Sequence, residues 1–345
     1  MSKMRIATLA APGEIILGRA EIPVPKQNEI LVKVERVGVC GSDPTIYYGR
    51  HPYVKFPVVM GHEFSGHVAV LGPGAEGPPA GTRVTVIPHL VCGQCKPCRQ
   101  KIYNFCQELR CVGAEADGAH CEYIAMPAEM VLPIPDGMTL DDGAMVEPAS
   151  VAYHAAKRGE LRQSDIVLVI GAGPIGNFVM QSAKALGAGK VFIADLDARR
   201  LELALSLGAD GIINVSGERL EDGLERLCGG SHEVDAFFDC VGEKGAVFND
   251  ILRLARRGAR AVIVGVLQNG YDIPLLPDFV QHELRISGTT MYTPSDYHEV
   301  INLMGRGAIR TEGMISHYFD FDDVAGVFKK IAGREIKYFK IMLKM

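Results

Sequence analysis

Residues 92–106 read CGQCKPCRQKIYNFC and place cysteines at 92, 95, 98 and 106, a Cys-x2-Cys-x2-Cys-x7-Cys cluster. Four soft donors at this spacing can surround one tetrahedral zinc, and Gly93, Lys96 and Pro97 let the backbone turn tightly between them. An iron–sulfur cluster also uses close cysteines, but the rest of the chain offers no electron-transfer context. Buried thiols serving as small hydrophobes fit poorly with the polar neighbours Gln94, Lys96, Arg99, Gln100 and Lys101. With Cys92, Cys95, Cys98 and Cys106 filling every position, such a zinc pins a loop and does no chemistry.

Catalytic zinc needs fewer protein ligands and an open position. Residues of the right type outside the lobe are Cys40 in VCGSD, His62 and Glu63 in GHEFSG, and Glu147 in VEPAS. A lone cysteine is usually a buried apolar residue and a His-Glu pair is often a surface pair, so the weight lies in their combination. A second motif, GAGPIG, supplies Gly171, Gly173 and Gly176. It follows the apolar run DIVLVI, opens a helical pattern, and precedes Asp195, nineteen residues beyond Gly176. That is the pattern of a dinucleotide cradle: a tight turn, close backbone approach to a pyrophosphate at a helix N-terminus, and a carboxylate for the ribose hydroxyls. A carboxylate there accepts from NAD and repels the 2′-phosphate of NADP. Asp197 competes for the role of helix cap.

The elements that must hold these residues fall into two groups. Up to about residue 150 the chain is β-rich, with ILVKVERVGVC and GTRVTVIP as strands and GPGAEGPPAG as a surface turn. From about Ser164 strand and helix alternate (DIVLVI, PIGNFVMQSAKALG, VFIAD, DARRLELALSLG, and onward to ELRISGT). Six such strands predict a doubly wound parallel sheet, so the fold class is α/β. After about residue 290 the alternation stops, and SDYHEVINLMGRG and DDVAGVFKKIAG predict helices before the closing strand YFKIMLKM.

Composition narrows the functional classes. At 345 residues, 48% hydrophobic and 22% charged, the chain is long enough for two cores. A net charge of −5, spread without basic or acidic blocks, argues against a nucleic-acid groove or a membrane-binding patch. No apolar run is long enough to span a bilayer, and MSKMRIATLAAPGEII lacks the features of a secretory leader, so a cytoplasmic location is expected. Nine cysteines, an odd number in a long chain, favour thiolates serving a metal over disulfides.

VGVCGSD at 37–43, GHEFSGHVAVLG at 61–72, the cysteine lobe, VEPASVAYHA at 146–155 and GAGPIG at 171–176 stand in one order across nearly the whole chain. In that order they resemble the zinc-dependent medium-chain dehydrogenases and reductases, most closely the sorbitol (polyol) dehydrogenase-like members. The resemblance implies a GroES-like catalytic domain made of 1–150 and 291–345, and a Rossmann NAD-binding domain at 151–290. It implies one catalytic and one structural zinc, NAD in preference to NADP, a small-molecule polyol or sugar substrate, and a homodimer or homotetramer. Cys40 and His62 correspond to catalytic zinc ligands, with Glu63 and Glu147 both open as the third. Ser42 corresponds to the first proton-relay hydroxyl. Thr45 stands where many relatives carry the outer relay histidine, and Thr45, His51 and a water chain are alternative substitutes. Pro174 and Ile175 complete the glycine turn, Arg200 accompanies NAD in such relatives, and Val241, Val264, Val266, Thr289 and Thr290 correspond to dinucleotide-lining positions.

Two departures stand out. Animal sorbitol dehydrogenases generally lack the four-cysteine lobe, which bacterial polyol and threonine dehydrogenases keep. Met291 in GTTMY replaces an arginine that helps bind the polyol, which leaves a deoxy sugar alcohol, a sugar acid, or a phosphorylated or cyclic polyol open. Tyr47, Phe56 and Met291 are candidate pocket-wall residues, with ordinary core aromatics and a gap-filling methionine as the alternative for each, and Arg50 with His51 are candidates to meet an anionic group, with solvated surface residues as the alternative. The alternative functions are a threonine or other amino-alcohol dehydrogenase and, with this set of metal-ligating residues against it, a non-enzymatic nicotinamide-binding protein.

Overall fold

The computed structural model describes residues 2–230, 234–242, 246–266 and 277–345. The chain forms two compact units, the first from Met1–Glu147, Thr293–Gly305 and Met314–Met345, the second from Pro148–Tyr292 and Arg306–Gly313.

In the first unit, β1 (Lys3–Ala11), β2 (Glu14–Glu21) and β4 (Val58–Val59) make a three-stranded sheet in the order β2-β1-β4. Next to it in sequence come β3 (Glu29–Val39), α1 (Asp43–Tyr47), β5 (Glu63–Leu71) and β6 (Arg83–Val86). The cysteine lobe is framed by the short pair β7 (His89–Leu90) and β8 (Arg110–Cys111) and contains α2 (Lys96–Arg99). After β9 (Tyr123–Pro127) and β10 (Val131–Pro133), the larger sheet closes in the order β10-β6-β5-β3-β18-β17, with β9 also on β3. Here β17 is Ile315–Asp320 and β18 is Lys340–Lys344. The strand β3 is the hinge of this arrangement, because it pairs antiparallel with both β5 and β18. Its apolar Ile30, Val32, Val34, Val37 and Val39 are all buried, so the register is set by which residues can leave water.

Residues of α3 (Leu140–Arg158) begin in the first unit and end in the second. Pro148 lies within it, immediately after Glu147, and removes one backbone donor from the helix ladder at the point where the units part.

The second unit is a six-stranded parallel sheet in the order β13-β12-β11-β14-β15-β16. Its strands are β11 (Ile166–Ile170), β12 (Lys190–Asp195), β13 (Gly211–Asn214), β14 (Val234–Asp239), β15 (Ala255–Ile263) and β16 (Arg285–Gly288). Helices α4 (Pro174–Ala185), α5 (Ala198–Ser206), α6 (Leu220–Cys228), α7 (Ala246–Leu254) and α8 (Pro277–Gln281) alternate with them. The strand order reverses between β12-β11 and β14, the topological switch point at which such sheets bind ligands beyond the carboxyl ends of their strands. Val167, Leu168, Val169, Phe192 and Phe237 are buried, as a sheet covered on both faces requires.

The remaining helices are α9 (Pro294–Gly305) and α10 (Val324–Ala332). Arg306–Gly313, expected with the catalytic domain, packs with the second unit instead. The cause is a side-chain clamp: buried Gln181 on α4 donates through Nε2 to Arg310 O at 3.0 Å and accepts from Arg310 N at 2.7 Å. Residues 148–150 and 291–292 likewise fall in the second unit.

Candidate active site

The lobe cysteines converge. The Sγ atoms of Cys92, Cys95, Cys98 and Cys106 all lie within 4.8 Å of one another. Cys92 Sγ is 3.9 Å from Cys98 Sγ and 3.6 Å from Cys106 Sγ. Four sulfurs about 2.3 Å from a tetrahedral centre would be about 3.8 Å apart, so the donor set fits zinc. Backbone N–H groups of Gln107 and Cys98 point at Cys95 and lower its thiol pKa, favouring the thiolate form that a metal needs.

A second group holds Cys40, His62 and Glu63, again with one ligand atom of each within 4.8 Å of the others. Cys40 ends the β3 segment, His62 precedes β5, and Glu63 is its first residue, so the sheet register brings the three together. Asp43 fixes this corner: its Oδ2 accepts from Cys40 N at 2.8 Å, and its Oδ1 lies 3.6 Å from His62 Nδ1. Complete burial pushes the Asp43 carboxyl up to about 6. Burial opposes a charge on His62, yet Cys40 and Asp43 outweigh it and its pKa is raised. Thiolate, imidazole and carboxylate converging in one buried corner are the donor types that zinc takes.

The two carboxylates differ. Glu63 is fully buried and Lys340 Nζ donates to both of its oxygens, at 2.8 and 2.6 Å, and to Val39 O at 3.2 Å. Lys340 sits on β18 and Glu63 on β5, with β3 between them, so the pair bridges over the middle strand. Gly38 makes this possible, because a Cβ there would collide with Glu63 Oε2. Burial opposes a charged Lys340, but Glu63, Cys40 and Asp43 more than compensate and its pKa is raised. Glu147, also buried, lies outside the 4.8 Å group. It is close enough to act on Cys111 and Tyr297, and Cys111 in turn feels Cys40 and His62.

In the second unit, Gly171 takes φ +99°, and Gly176 packs so closely on Gly171 O that no Cβ would fit. Asp195 ends β12, and its two oxygens accept from Ala172 N at 2.7 Å and Asp197 N at 2.8 Å. A carboxylate has roughly four lone-pair sites, so it retains acceptor capacity for ribose hydroxyls. Arg200 Nη1 stands 3.9 Å from Asp195 Oδ2, while Asp197 caps α5 by accepting from Arg199 N. Along the carboxyl ends of the strands, Leu196, Val241 and Val266 are 69%, 45% and 91% exposed. Apolar side chains left in water at a switch point suit the faces of a flat heterocycle.

Two family models cover most of the chain: the alcohol dehydrogenase GroES-like domain over residues 26–136 and the zinc-binding dehydrogenase model over 174–306. This chain belongs to the zinc-dependent medium-chain dehydrogenases. It is 33% identical to the L-galactonate-5-dehydrogenase of Escherichia coli K12 over 97% of this chain and 98% of that one. Among solved structures it resembles a zinc-binding dehydrogenase of Sinorhizobium meliloti bound to NADP, with TM-score 0.92 and 30% identity over the full length of both chains. An alcohol dehydrogenase of E. coli CFT073 complexed with NADH superposes with TM-score 0.91 and 31% identity, again over both full lengths. The protein is thus an oxidoreductase that uses zinc and a nicotinamide dinucleotide.

The other candidate residues of this dehydrogenase take the following positions. Tyr47 is a core residue: it is buried, packs on Tyr48 and Phe328, and spends its hydroxyl on Gly13 O at 2.8 Å. Ser42 and Thr45 are exposed at the start of α1, with Thr45 N donating to Ser42 O. His51 Nδ1 accepts from Tyr53 N at 3.4 Å, and the Arg50 guanidinium lies over the Tyr48 ring, 4.8 Å from its centroid. Met291 holds a left-handed φ of +47°. Val264 and Thr289 are half-buried and Thr290 exposed. Asp43, Lys340 and Leu196 were not singled out in the sequence. Asp43 had a local signal, three residues after Cys40; Lys340 had none, being 277 residues from its partner.

Proposed function

We propose that this dehydrogenase oxidises a secondary alcohol of a polyol, sugar or sugar acid, with NAD as hydride acceptor, in the cytoplasm and as a homo-oligomer. The observation that carries the reading is the convergence of Cys40, His62 and Glu63, one ligand atom of each within 4.8 Å of the others. Lys340 already neutralises Glu63, so Glu147 is taken as the third ligand of a catalytic zinc, with an open position for substrate. A zinc held there supplies Lewis acidity to the alcohol oxygen. Ser42 hands on the hydroxyl proton, Asp43 orients His62, and Cys92, Cys95, Cys98 and Cys106 hold a second zinc that braces their loop. The similarity to a sugar-acid dehydrogenase along the whole chain supports the substrate class, and Arg50 and His51 are the groups for its anionic end.

The test is a screen of NAD reduction by the zinc-loaded protein across acyclic polyols, sugars, aldonates, amino alcohols and simple primary alcohols. Turnover concentrated on polyols or aldonates is expected. Turnover on L-threonine alone would transfer the protein to the amino-alcohol class.

Asp195 decides the cofactor. In Asp195→Ala the ribose acceptor and the repulsion of a 2′-phosphate both disappear, so the ratio of kcat/KM values should move towards NADP by about tenfold, equivalent to roughly 1.4 kcal/mol. Equal losses with NAD and NADP would reduce Asp195 to an anchor for Ala172.

A further inference from the structure

The turn between β11 and α4 spends its polar groups in a pattern that singles out one side chain. Gly171 N donates to Ala194 O at 2.8 Å, and Ala172 N to Asp195 at 2.7 Å. The carbonyls of Ala172 and Gly173 are both held by Asn177, whose Nδ2 donates to them at 2.8 and 3.2 Å. Asn177 N adds a further bond to Gly173 O at 2.9 Å. Among the described residues no acceptor meets the N–H groups of Gly173, Ile175 and Gly176, and Pro174 has none to offer. Backbone donors left over at a helix N-terminus are those an anion uses.

Asn177 is completely buried and its Oδ1 has no partner. A buried amide oxygen without a donor works against folding, and leucine has nearly the same shape without that cost. What the asparagine adds over leucine is its hold on the carbonyls of Ala172 and Gly173. A peptide plane turned over at Ala172 or Gly173 would point a carbonyl oxygen at the phosphates, where like partial charges repel.

We propose that Asn177 is a positioning residue for the dinucleotide: it holds the carbonyls of Ala172 and Gly173 inward so that the N–H groups of the turn face the pyrophosphate. Asp195 holds the same turn from the other side through Ala172 N. The two side chains together fix both ends of the Ala172 residue, one by its N–H and one by its C=O. The proposal rests on the glycine turn being the pyrophosphate cradle, which NADH binding by the wild type checks separately.

The experiment compares wild type, Asn177→Leu and Asn177→Ala in zinc-loaded protein. It measures the Kd for NADH by fluorescence, the melting temperature without cofactor, and kcat and KM for NAD. In Asn177→Leu the Kd and KM should rise about tenfold with kcat at saturating NAD kept, while the melting temperature falls only modestly, because removing the unpartnered Oδ1 offsets part of the loss of the two Nδ2 bonds. In Asn177→Ala the same loss of affinity should appear together with a lower melting temperature, because a cavity is left. A wild-type Kd in either variant overturns the proposal. So does an affinity that follows the melting temperature from Asn177→Leu to Asn177→Ala, the less stable variant binding NADH less tightly, since that is the behaviour of an ordinary core residue.

Discussion

Glu147→Gln is expected to lose the catalytic zinc and keep the lobe zinc, taking the metal content from about two ions per chain towards about one. Alcohol oxidation should fall by more than the roughly 10- to 100-fold typical of changes outside the ligand sphere. The neutral amide keeps the shape of the side chain and removes the charge that a metal requires. Glu63→Gln should behave differently. Zinc content should remain near two, while stability drops by about 3–5 kcal/mol because the ammonium of Lys340 is left buried without its counter-charge. Replacing both partners in a Glu63→Gln/Lys340→Met double variant should recover most of that loss, since a buried ion pair replaced as a unit costs little. Metal analysis and thermal denaturation of the four proteins read all of this. If zinc leaves with Glu63 and stays without Glu147, the ligand roles are reversed. Full activity in both single variants would falsify a zinc alcohol-oxidation centre altogether.

Cys95→Ser should take the lobe zinc and leave the catalytic one. Three thiolates and a hydroxyl make a poor site, and a structural zinc contributes its binding energy directly to folding. A loss of about 3 kcal/mol corresponds to a fall in melting temperature of about 4 °C in a protein of this size. Without a metal to hold them, the remaining thiols should then oxidise readily, since Cys92 and Cys106 already lie 3.6 Å apart. Protein that retains two zinc ions and its wild-type melting temperature would remove the structural assignment. Gentle chelation gives an independent reading: the catalytic ion, with its open coordination position, should leave first and take activity with it while the fold persists.

Much of this molecule can be read along the chain, for a physical reason that differs from element to element. The lobe is legible because its four ligands lie within fifteen residues, so spacing alone states that they meet. The glycine turn is legible because a backbone that must approach another backbone cannot carry a side chain, and Asp195 stands one strand further on at a fixed interval. The alternation of β11 to β16 with helices is legible because strands buried on both faces must be apolar throughout.

What the chain does not announce depends on partners brought together by sheet register. Whether Glu63 is free for a metal is decided by Lys340, which arrives on the last strand, two places across the sheet, over the bare Cα of Gly38. Tyr47 reads equally as a pocket wall or a core aromatic until the turn between β1 and β2 and α10 bring Gly13 and Phe328 against it. Arg306–Gly313 follows a helix of the first unit yet belongs to the second, because a buried glutamine on α4 satisfies its backbone. The sequence by itself determined which chemistries the protein can hold, since ligand type and short-range spacing are properties of the chain. Only the tertiary structure decided that Glu63 is spent on an ion pair with Lys340, because a buried charge is settled by whatever long-range neighbour can neutralise it.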